Sequence, residues 1–169
     1  GELSYRKHQD LLIKAVSIVK NDIPNLKLLL VGEGELYDDY NKLIKSLNVE
    51  KNVDLLGYRK DVPNLMLLAD VAVSSSRQEG LPVNILEAMA TGLPLVVSNS
   101  RGNRDLVISG KNGFVFEIDN VTEIVDLLIK LYKNEELRVR CGKQSLAMIN
   151  QYSVDNILRN MKDIYSDLL

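Results

Sequence analysis

The protein has 169 residues, of which 46% are hydrophobic and 26% are charged, which is typical of one soluble globular domain with a sizeable core. Its 21 basic and 23 acidic side chains give a net charge of −2, which argues against non-specific binding to nucleic acid. The single cysteine, Cys141, excludes an internal disulfide, so we expect a reducing, cytoplasmic location and a small packing role for this residue in a helix.

Helices alternate with short apolar strands in the first half of the chain. Apolar residues recur at helical spacing directly after Lys7, with almost no room for a preceding strand, so we expect the chain to be a piece of a longer protein. An apolar run over 26–31 is nearly continuous, which predicts a parallel strand covered on both faces. The next predicted elements are a helix over 35–47, a strand that ends at Gly57, and a short helix after Asp61.

The second half continues the alternation and ends in helices. A strand over 70–76 ends in three serines, and a helix over 82–92 precedes a strand over 93–100. The stretch 101–113 is predicted to be irregular, and a strand over 114–118 follows it. Three helical patterns close the chain, at 121–132, 135–152 and 153–169.

This order of elements predicts an α/β fold of the Rossmann-like type, with three layers (α/β/α) around a central parallel sheet. In open parallel sheets, ligands bind outside the carboxyl ends of the strands. The unusual motifs of the sequence follow predicted strand ends, at 32–34, 57–58, 74–80 and 98–104. We therefore expect one edge of the sheet to hold the functional residues.

Two carboxylates flank the start of the 82–92 helix. Glu87 is the only ionisable side chain within it, so the helix is predicted to be buried nearly all round, and Glu79 lies eight positions earlier. Pro82 suits the first turn, where a missing N–H costs nothing. The first-turn amides, beside Gly80, form an anion site that suits phosphate.

A polar stripe on the same helix predicts a ligand that carries hydroxyl groups. Asn84, Glu87 and Thr91 are three and four residues apart and share one helix face. An ionised carboxylate only accepts hydrogen bonds, so it matches the diol of a sugar or ribose. Phosphate at the amides and hydroxyls at the carboxylates together describe a nucleotide sugar. The alternative is a structural Glu87 that pairs with Arg101, Arg104 or a backbone amide.

The segment EGLPVNILEAMATGLPLVVS, with Glu79 and Glu87 in an E-x7-E arrangement, resembles the carboxy-terminal domain of glycosyltransferase family 4. The segments KLLLVGEGEL, VDLLGYRKDVPNLMLLADVAVSSS and GFVFEI extend the resemblance over essentially the whole chain, and SRGNRDLV is similar to a branch of bacterial capsule and exopolysaccharide transferases. The resemblance implies one half of a GT-B fold, in which two Rossmann-like domains face each other across a cleft. Residues 1–169 would then be the nucleotide-sugar-binding domain.

The resemblance implies roles for individual residues. Lys7 would contact the donor diphosphate, Glu79 the hydroxyls of the transferred sugar, and Glu87 the ribose diol, with Glu79 and Lys7 as the catalytic pair. The other donor-binding positions would act through the backbone: Gly57, Tyr58 and Arg59 at the base, and Gly80, Leu81, Pro82 and Val83 at the sugar and diphosphate.

One position departs from the family pattern. Many members carry an arginine, a second cation on the diphosphate, where this chain has Glu2, although the capsule branch also reads GEL there. Arg101 and Arg104 are the candidates to supply the missing charge.

The resemblance implies a retaining glycosyltransferase that moves a sugar from a UDP- or GDP-linked donor to a glycan or lipid-linked acceptor in surface polysaccharide synthesis. No cofactor and no metal is expected, because the helix amides and Lys7 would stabilise the leaving diphosphate, and Asp38 and Asp39 do not form a metal motif. The acceptor would bind a missing amino-terminal domain, so this chain alone should bind the donor weakly and transfer nothing. Peripheral membrane association is an option for the full-length protein.

Two other functions stay open at this point: a non-catalytic nucleotide-binding or regulatory module in which Glu87 is structural, and a sugar-nucleotide epimerase of the same fold. The epimerase ranks last, because it would need further ionisable residues in the cleft and a chain with one histidine supplies few. That histidine, His8, is expected to be solvated beside Lys7 at a helix start. The glycines of VGEGEL lack the third glycine of a dinucleotide fingerprint and predict a tight turn that borders the cleft.

The last predicted helix, 153–169, has apolar residues at core spacing, namely Ile157, Met161, Ile164 and Leu168. In the enzymes that the chain resembles, this helix packs back toward the partner domain. Exposed apolar surface is therefore expected here, and it is expected to favour dimerisation of the fragment.

Overall fold

The computed structural model describes the backbone of residues 1–166 and every side chain in that range except those at positions 160 and 163. The strands are β1 (Leu28–Val31), β2 (Val53–Gly57), β3 (Ala72–Ser74), β4 (Leu95–Ser98) and β5 (Gly113–Phe116). The helices are α1 (Gln9–Val19), α2 (Tyr37–Ser46), α3 (Val62–Leu67), α4 (Val83–Ala90), α5 (Arg101–Leu106), α6 (Val121–Lys133), α7 (Glu135–Ile149) and α8 (Val154–Ser166), with a 3-10 turn at Asn150–Tyr152.

The paired strands are parallel, and they hydrogen-bond in two groups. β1 pairs with β2, and β4 lies between β3 and β5. Parallel neighbours end on the same side, so the loops after β3, β4 and β5 meet at one edge, where ligands bind in such folds. Just beyond β1, the N–H of Gly32 donates to the carbonyl of Gly57, the last residue of β2, at 2.8 Å. The prediction of a parallel α/β fold is confirmed.

The layers are clearest around β4, whose residues are all buried. Val96 packs in one core with α1 and α6. Its neighbours Leu95 and Val97 point the other way, into a second core with α4 and α5. Alternate side chains of this strand are therefore covered on both faces, as a continuous apolar run requires.

The expectation that the run over 26–31 is covered on both faces is wrong for part of β1. Leu30 is buried against α1 and α2, but Leu29, which points to the opposite face, is exposed. Both of these helices pack on the Leu30 side, which leaves the other face of this strand open.

The stretch 101–113 is not irregular throughout, because α5 occupies Arg101–Leu106. This helix is fixed by contacts outside itself. The N–H of Gly102 donates to the carbonyl of Glu79 at 3.2 Å, and Asn103 is fully buried against Ser98. Few apolar residues mark this segment, so its sequence gives no helical period.

The last helix is largely uncovered. Ile157, Met161 and Ile164 of α8 are exposed, which agrees with the expected apolar surface, while Leu168 lies outside the described residues. Cys141 is buried in α7, as predicted. Within residues 1–166, no helix combines the length and the apolar character needed to cross a bilayer.

Candidate functional site

The turn before α1 is hydrogen-bonded to the loop that follows β3. The N–H of Arg77 donates to the carbonyl of Arg6 at 2.9 Å. The hydroxyl of Ser75 donates to the carbonyl of Lys7 at 3.0 Å and to that of His8 at 2.7 Å. Segments about 70 residues apart in sequence are thereby held side by side, which fixes the backbone on either side of a pair of charged groups.

That pair is Lys7 and Glu79, the two residues to which the resemblance gives a catalytic role. The Lys7 ammonium lies 2.5 Å from the Glu79 carboxylate, and Arg6 Nη1 lies 3.3 Å from its second oxygen. The Glu79 side chain is only 7% exposed. Burial opposes its charged form, but hydrogen bonds from Lys7 and Ser76 and the positive charges of Lys7 and Arg6 outweigh that effect and lower the pKa of the carboxyl group.

We expect the Lys7→Met substitution to lower the free energy of unfolding by about 1–3 kcal/mol at pH 7, because it leaves a buried carboxylate with only Arg6 as a cationic partner. A carboxyl group with a lowered pKa stabilises the fold above its unfolded-state pKa, and this contribution is lost as the pH falls through its folded-state pKa. The difference between variant and wild type should therefore shrink below about pH 4. Urea unfolding at several pH values measures this difference.

Lys42→Met is the matched control for this substitution. Lys42 pairs with Asp39 at 3.2 Å, but both side chains are largely exposed, so its removal should cost less than about 1 kcal/mol. Equal losses in the two variants would show that the Lys7 pair is an ordinary surface contact.

The far side of the Glu79–Gly80 loop rests on β4 and α5. A Cβ atom added to Gly102 would overlap the carbonyl of Gly80, so only glycine allows the helix to approach this closely. Below it, the hydroxyl of Ser98 donates to the carbonyl of Ser76 at 2.5 Å, and the amide of Asn103 donates to the same hydroxyl at 3.0 Å. The loop that carries Glu79 is thus supported from beneath by polar groups and backbone.

A cavity of about 610 Å³ opens between this loop and α5. Most of the residues that line it have polar side chains, and the lining comprises Arg77, Gln78, Glu79, Gly80, Asn99, Ser100, Arg101, Asp105 and Ile118. Arg101 therefore lies near Glu79, whereas Arg104 is exposed and does not line the cavity. The volume is large enough to hold a polar group next to the Glu79 loop.

The start of α4 offers free backbone donors. The first bonds to this helix run from the amides of Ile85 and Leu86 to the carbonyl of Pro82, so within the described residues the amides of Val83 and Asn84 are left for another acceptor. Pro82 lies just before the helix and is buried, while Leu81 and Val83 on either side are exposed. The predicted anion site is geometrically open.

The prediction that α4 is buried nearly all round is wrong. Ile85, Ala88 and Met89 pack inward, but the face with Glu87 is exposed, because no described element covers it. Within residues 1–166, the Glu87 carboxylate makes no ion pair or hydrogen bond, including with Arg101 or Arg104. The alternative of a structural Glu87 thus lacks the partner that it requires.

Glu87 and Lys7 act on a common neighbour, Gly1. The charges of Lys7 and Glu87 both act at the backbone nitrogen of Gly1. Lys7 Cε is 3.7 Å from the place that a Cβ atom on Gly1 would take. The Lys7 ammonium and the unpaired Glu87 carboxylate therefore both lie near Gly1, and the amides of Val83 and Asn84 begin the helix that carries Glu87. Gly32, with φ 138°, packs directly against Gly1. A side chain at position 32 would collide with the Gly1 carbonyl.

The turn after β2 is hydrogen-bonded to Gly32. Gly57 has φ 63°, which favours glycine, and its carbonyl accepts the bond from Gly32. Tyr58 is exposed, and the guanidinium of Arg59 is held by Asp61 through two bonds of 2.7 and 2.6 Å. With that side chain engaged, what this turn offers a ligand is its backbone and the ring of Tyr58.

A model of the family described as glycosyl transferases group 1 matches residues 1–148. The chain belongs to this family. The Bacillus subtilis protein EpsD, which carries a glycosyltransferase name, is 34% identical over 166 residues, which are 98% of this chain and 44% of EpsD. The Escherichia coli UDP-Gal:alpha-D-GlcNAc-diphosphoundecaprenol alpha-1,3-galactosyltransferase is 33% identical over 153 residues, which are 90% of this chain and 40% of that enzyme.

The fold comparison agrees with this assignment. Anabaena HepE, solved in complex with UDP, superposes with a TM-score of 0.92 at 26% identity, over 99% of this chain and 47% of HepE. The GT-B resemblance that the sequence indicates is therefore confirmed for this group 1 glycosyl transferase. The chain spans less than half the length of these relatives.

The expectation of a solvated His8 is wrong in this group 1 glycosyl transferase. The side chain is 4% exposed and lies against Arg77 and Asp119. Sequence reasoning also missed the roles of Arg77 and Gly102, which hold the Glu79 loop. Their only signal in the sequence is position, since Arg77 comes two residues before Glu79 and Gly102 follows the end of β4.

Proposed function

We propose that residues 1–169 are the donor-binding, carboxy-terminal half of a retaining glycosyltransferase that takes a sugar from a nucleoside-diphosphate sugar. The observation that carries this proposal is the exposed, unpaired Glu87, which lies near Gly1 as Lys7 does and belongs to the helix whose first-turn amides are free. A diphosphate satisfies the cation and the amides, while a ribose diol satisfies the carboxylate. The acceptor, a glycan or a lipid-linked sugar, would bind a second domain.

Electrostatic stabilisation of the leaving group is the chemistry proposed for this site. Negative charge grows on the diphosphate as the bond to the sugar breaks, and Lys7 with the amides of Val83 and Asn84 would stabilise it without a metal. Glu79 would accept hydrogen bonds from the sugar hydroxyls and orient the anomeric carbon. The cavity beside Glu79 and Gly80 is where the transferred sugar would extend.

Uracil is the base that the relatives favour. The E. coli relative is named for UDP-Gal and a diphosphoundecaprenol-linked acceptor, and HepE is solved with UDP and with UDP-glucose. We propose a UDP-sugar donor and a role in the synthesis of a surface polysaccharide on this basis.

Titration calorimetry with UDP, GDP and uridine tests the donor proposal. We expect UDP to bind more tightly than uridine by at least about tenfold, because only the diphosphate reaches Lys7 and the amides. GDP should bind more weakly than UDP. A chain that binds none of the three, or that binds uridine as well as UDP, would overturn the proposed donor site.

A further inference from the structure

His8 occupies an unusual place beside the catalytic pair. It directly follows Lys7, has a left-handed backbone with φ 54°, and starts α1 without capping it through its side chain. Its Nε2 lies 2.7 Å from Nη2 of Arg77, and its Nδ1 is buried without a described partner. The imidazole thus faces a cation from inside the protein.

The contact with Arg77 determines which nitrogen carries the proton. A guanidinium only donates hydrogen bonds, so Nε2 must accept and the proton of the neutral ring lies on Nδ1. Asp119 and Asp10 lie 3.3 and 3.7 Å from the same Nε2 and would instead favour a protonated ring. The 2.7 Å contact decides the tautomer, because an N–H on Nε2 would point at the N–H of Arg77.

The groups around His8 come from three elements. Asp10 and Lys14 face it from α1, Arg77 from the loop after β3, and Asp119 from the loop after β5. Burial is the largest effect and lowers the pKa of His8; Arg77 and Lys14 lower it further, and the two carboxylates only partly offset this. Acidification would therefore place a buried imidazolium against a guanidinium.

Arg77 lies in the loop after β3 and joins it to the turn before α1 and to the loop after β5. Its guanidinium pairs with Asp119 at 2.9 Å and lies 4.7 Å from the centre of the Tyr5 ring. Its backbone N–H bonds to Arg6, and Glu79 comes two residues later. Whatever displaces Arg77 also displaces the backbone on both sides of the Lys7–Glu79 pair.

We propose that His8, as a neutral ring that accepts a hydrogen bond from Arg77, is a positioning residue that holds Lys7 and Glu79 in their donor-binding geometry, and that its protonation weakens donor binding. This inference rests on the proposed function, because it concerns the same site. His8 acts through Arg77, Arg6 and the loop backbone and touches no ligand. The protein would accordingly bind its donor less well at pH 5.5 than at pH 7.5.

The tautomer of His8 gives a direct test, since this is the only histidine of the chain and its NMR signals need no assignment. With no added histidine tag, correlation spectra of the ring nitrogens at pH 7.5 should show a proton on Nδ1 and none on Nε2. The titration midpoint should fall below the ordinary value of about 6.5. A proton on Nε2, or a ring that is charged at pH 7.5, would refute the inference without reference to any nucleotide.

Two substitutions at His8 distinguish the effect of its side chain from that of its left-handed backbone. His8→Gly tolerates the left-handed conformation but removes the acceptor, whereas His8→Asn tolerates it and keeps an amide oxygen that can accept from Arg77. Asn48→Gly is the matched control, because Asn48 has φ 52° at the end of α2 and takes no part in this network.

Calorimetric titration with UDP and UDP-glucose at pH 7.5 and 5.5 completes the test. We expect His8→Gly to bind UDP-glucose about tenfold more weakly at pH 7.5, the loss that one charge-assisted hydrogen bond corresponds to, and to lose the difference between the two pH values. His8→Asn should recover part of the affinity, and Asn48→Gly should match wild type. Wild-type affinity and pH dependence in His8→Gly would refute the inference, whereas no binding by the wild type would refute the proposed function itself.

Discussion

Replacing Glu87 by alanine is expected to lower the affinity of the chain for UDP by about a hundredfold. Two charge-assisted hydrogen bonds from a ribose diol to a carboxylate correspond to roughly 3 kcal/mol or more, and each 1.4 kcal/mol is a factor of ten. The free energy of unfolding should not change by more than about 0.5 kcal/mol, because Glu87 is exposed and has no partner within residues 1–166. Calorimetry with UDP and with uridine measures both affinities.

The comparison of UDP with uridine shows whether Glu87 contacts the ribose or the diphosphate. Both ligands contain the ribose, so Glu87→Ala should weaken both by the same factor, whereas Lys7→Met should weaken UDP and leave uridine unchanged. Glu50→Ala, at an exposed loop residue before β2, is the control for loss of one negative charge. If Glu50→Ala weakens UDP as much as Glu87→Ala, the effect is one of net charge and the ribose contact is wrong.

Gly102→Ala is expected to destabilise the protein by about 1–3 kcal/mol, the usual range for overpacking. At an ordinary helical position the same change stabilises by nearly 1 kcal/mol, so the sign alone is informative. The new Cβ atom would overlap the carbonyl of Gly80 and push the loop that carries Glu79. UDP-glucose binding should suffer more than UDP binding, because this loop would face the sugar in the proposed site.

Gly142→Ala is the matched control for the loop displacement. Gly142 lies in α7, and a Cβ atom there would overlap the carbonyl of Gly92, away from the site. It should destabilise the fold to a similar extent, as measured by urea unfolding, and leave both affinities unchanged. A stabilised Gly102→Ala, or equal effects of the two variants on binding, would contradict the support that α5 gives to the loop.

The order of helices and strands was predictable because most elements bury an apolar face of recognisable period. β4 reads as a continuous apolar run and is covered on both faces, and α6 shows helical spacing throughout. α5 was not predictable, since its position depends on a close approach of Gly102 to Gly80 and on a buried Asn103. Contacts between distant residues leave no period in the sequence.

The residue types of the candidate site were predictable from the sequence, but the burial and the pairing of its side chains were not. The spacing of Glu79 and Glu87 predicts two acids near one helix start, but it does not show which of them is paired. The structure separates them: one is buried in a pair with a lysine 72 residues away, and the other is open to solvent. His8 was misjudged for the same reason, because its partners Arg77 and Asp119 come from loops far along the chain.

The contact between Lys7 and Glu79 bears on selectivity among small anions. In the free protein the lysine charge is already satisfied, so an incoming inorganic phosphate must replace an attraction of comparable strength and gains little. The proposed nucleotide sugar would compensate for the exchange, since it would supply phosphate oxygens to the lysine and hydroxyl groups to the released carboxylate in one event. Abundant cellular phosphate would thus compete poorly with a nucleotide sugar for the proposed site at Lys7.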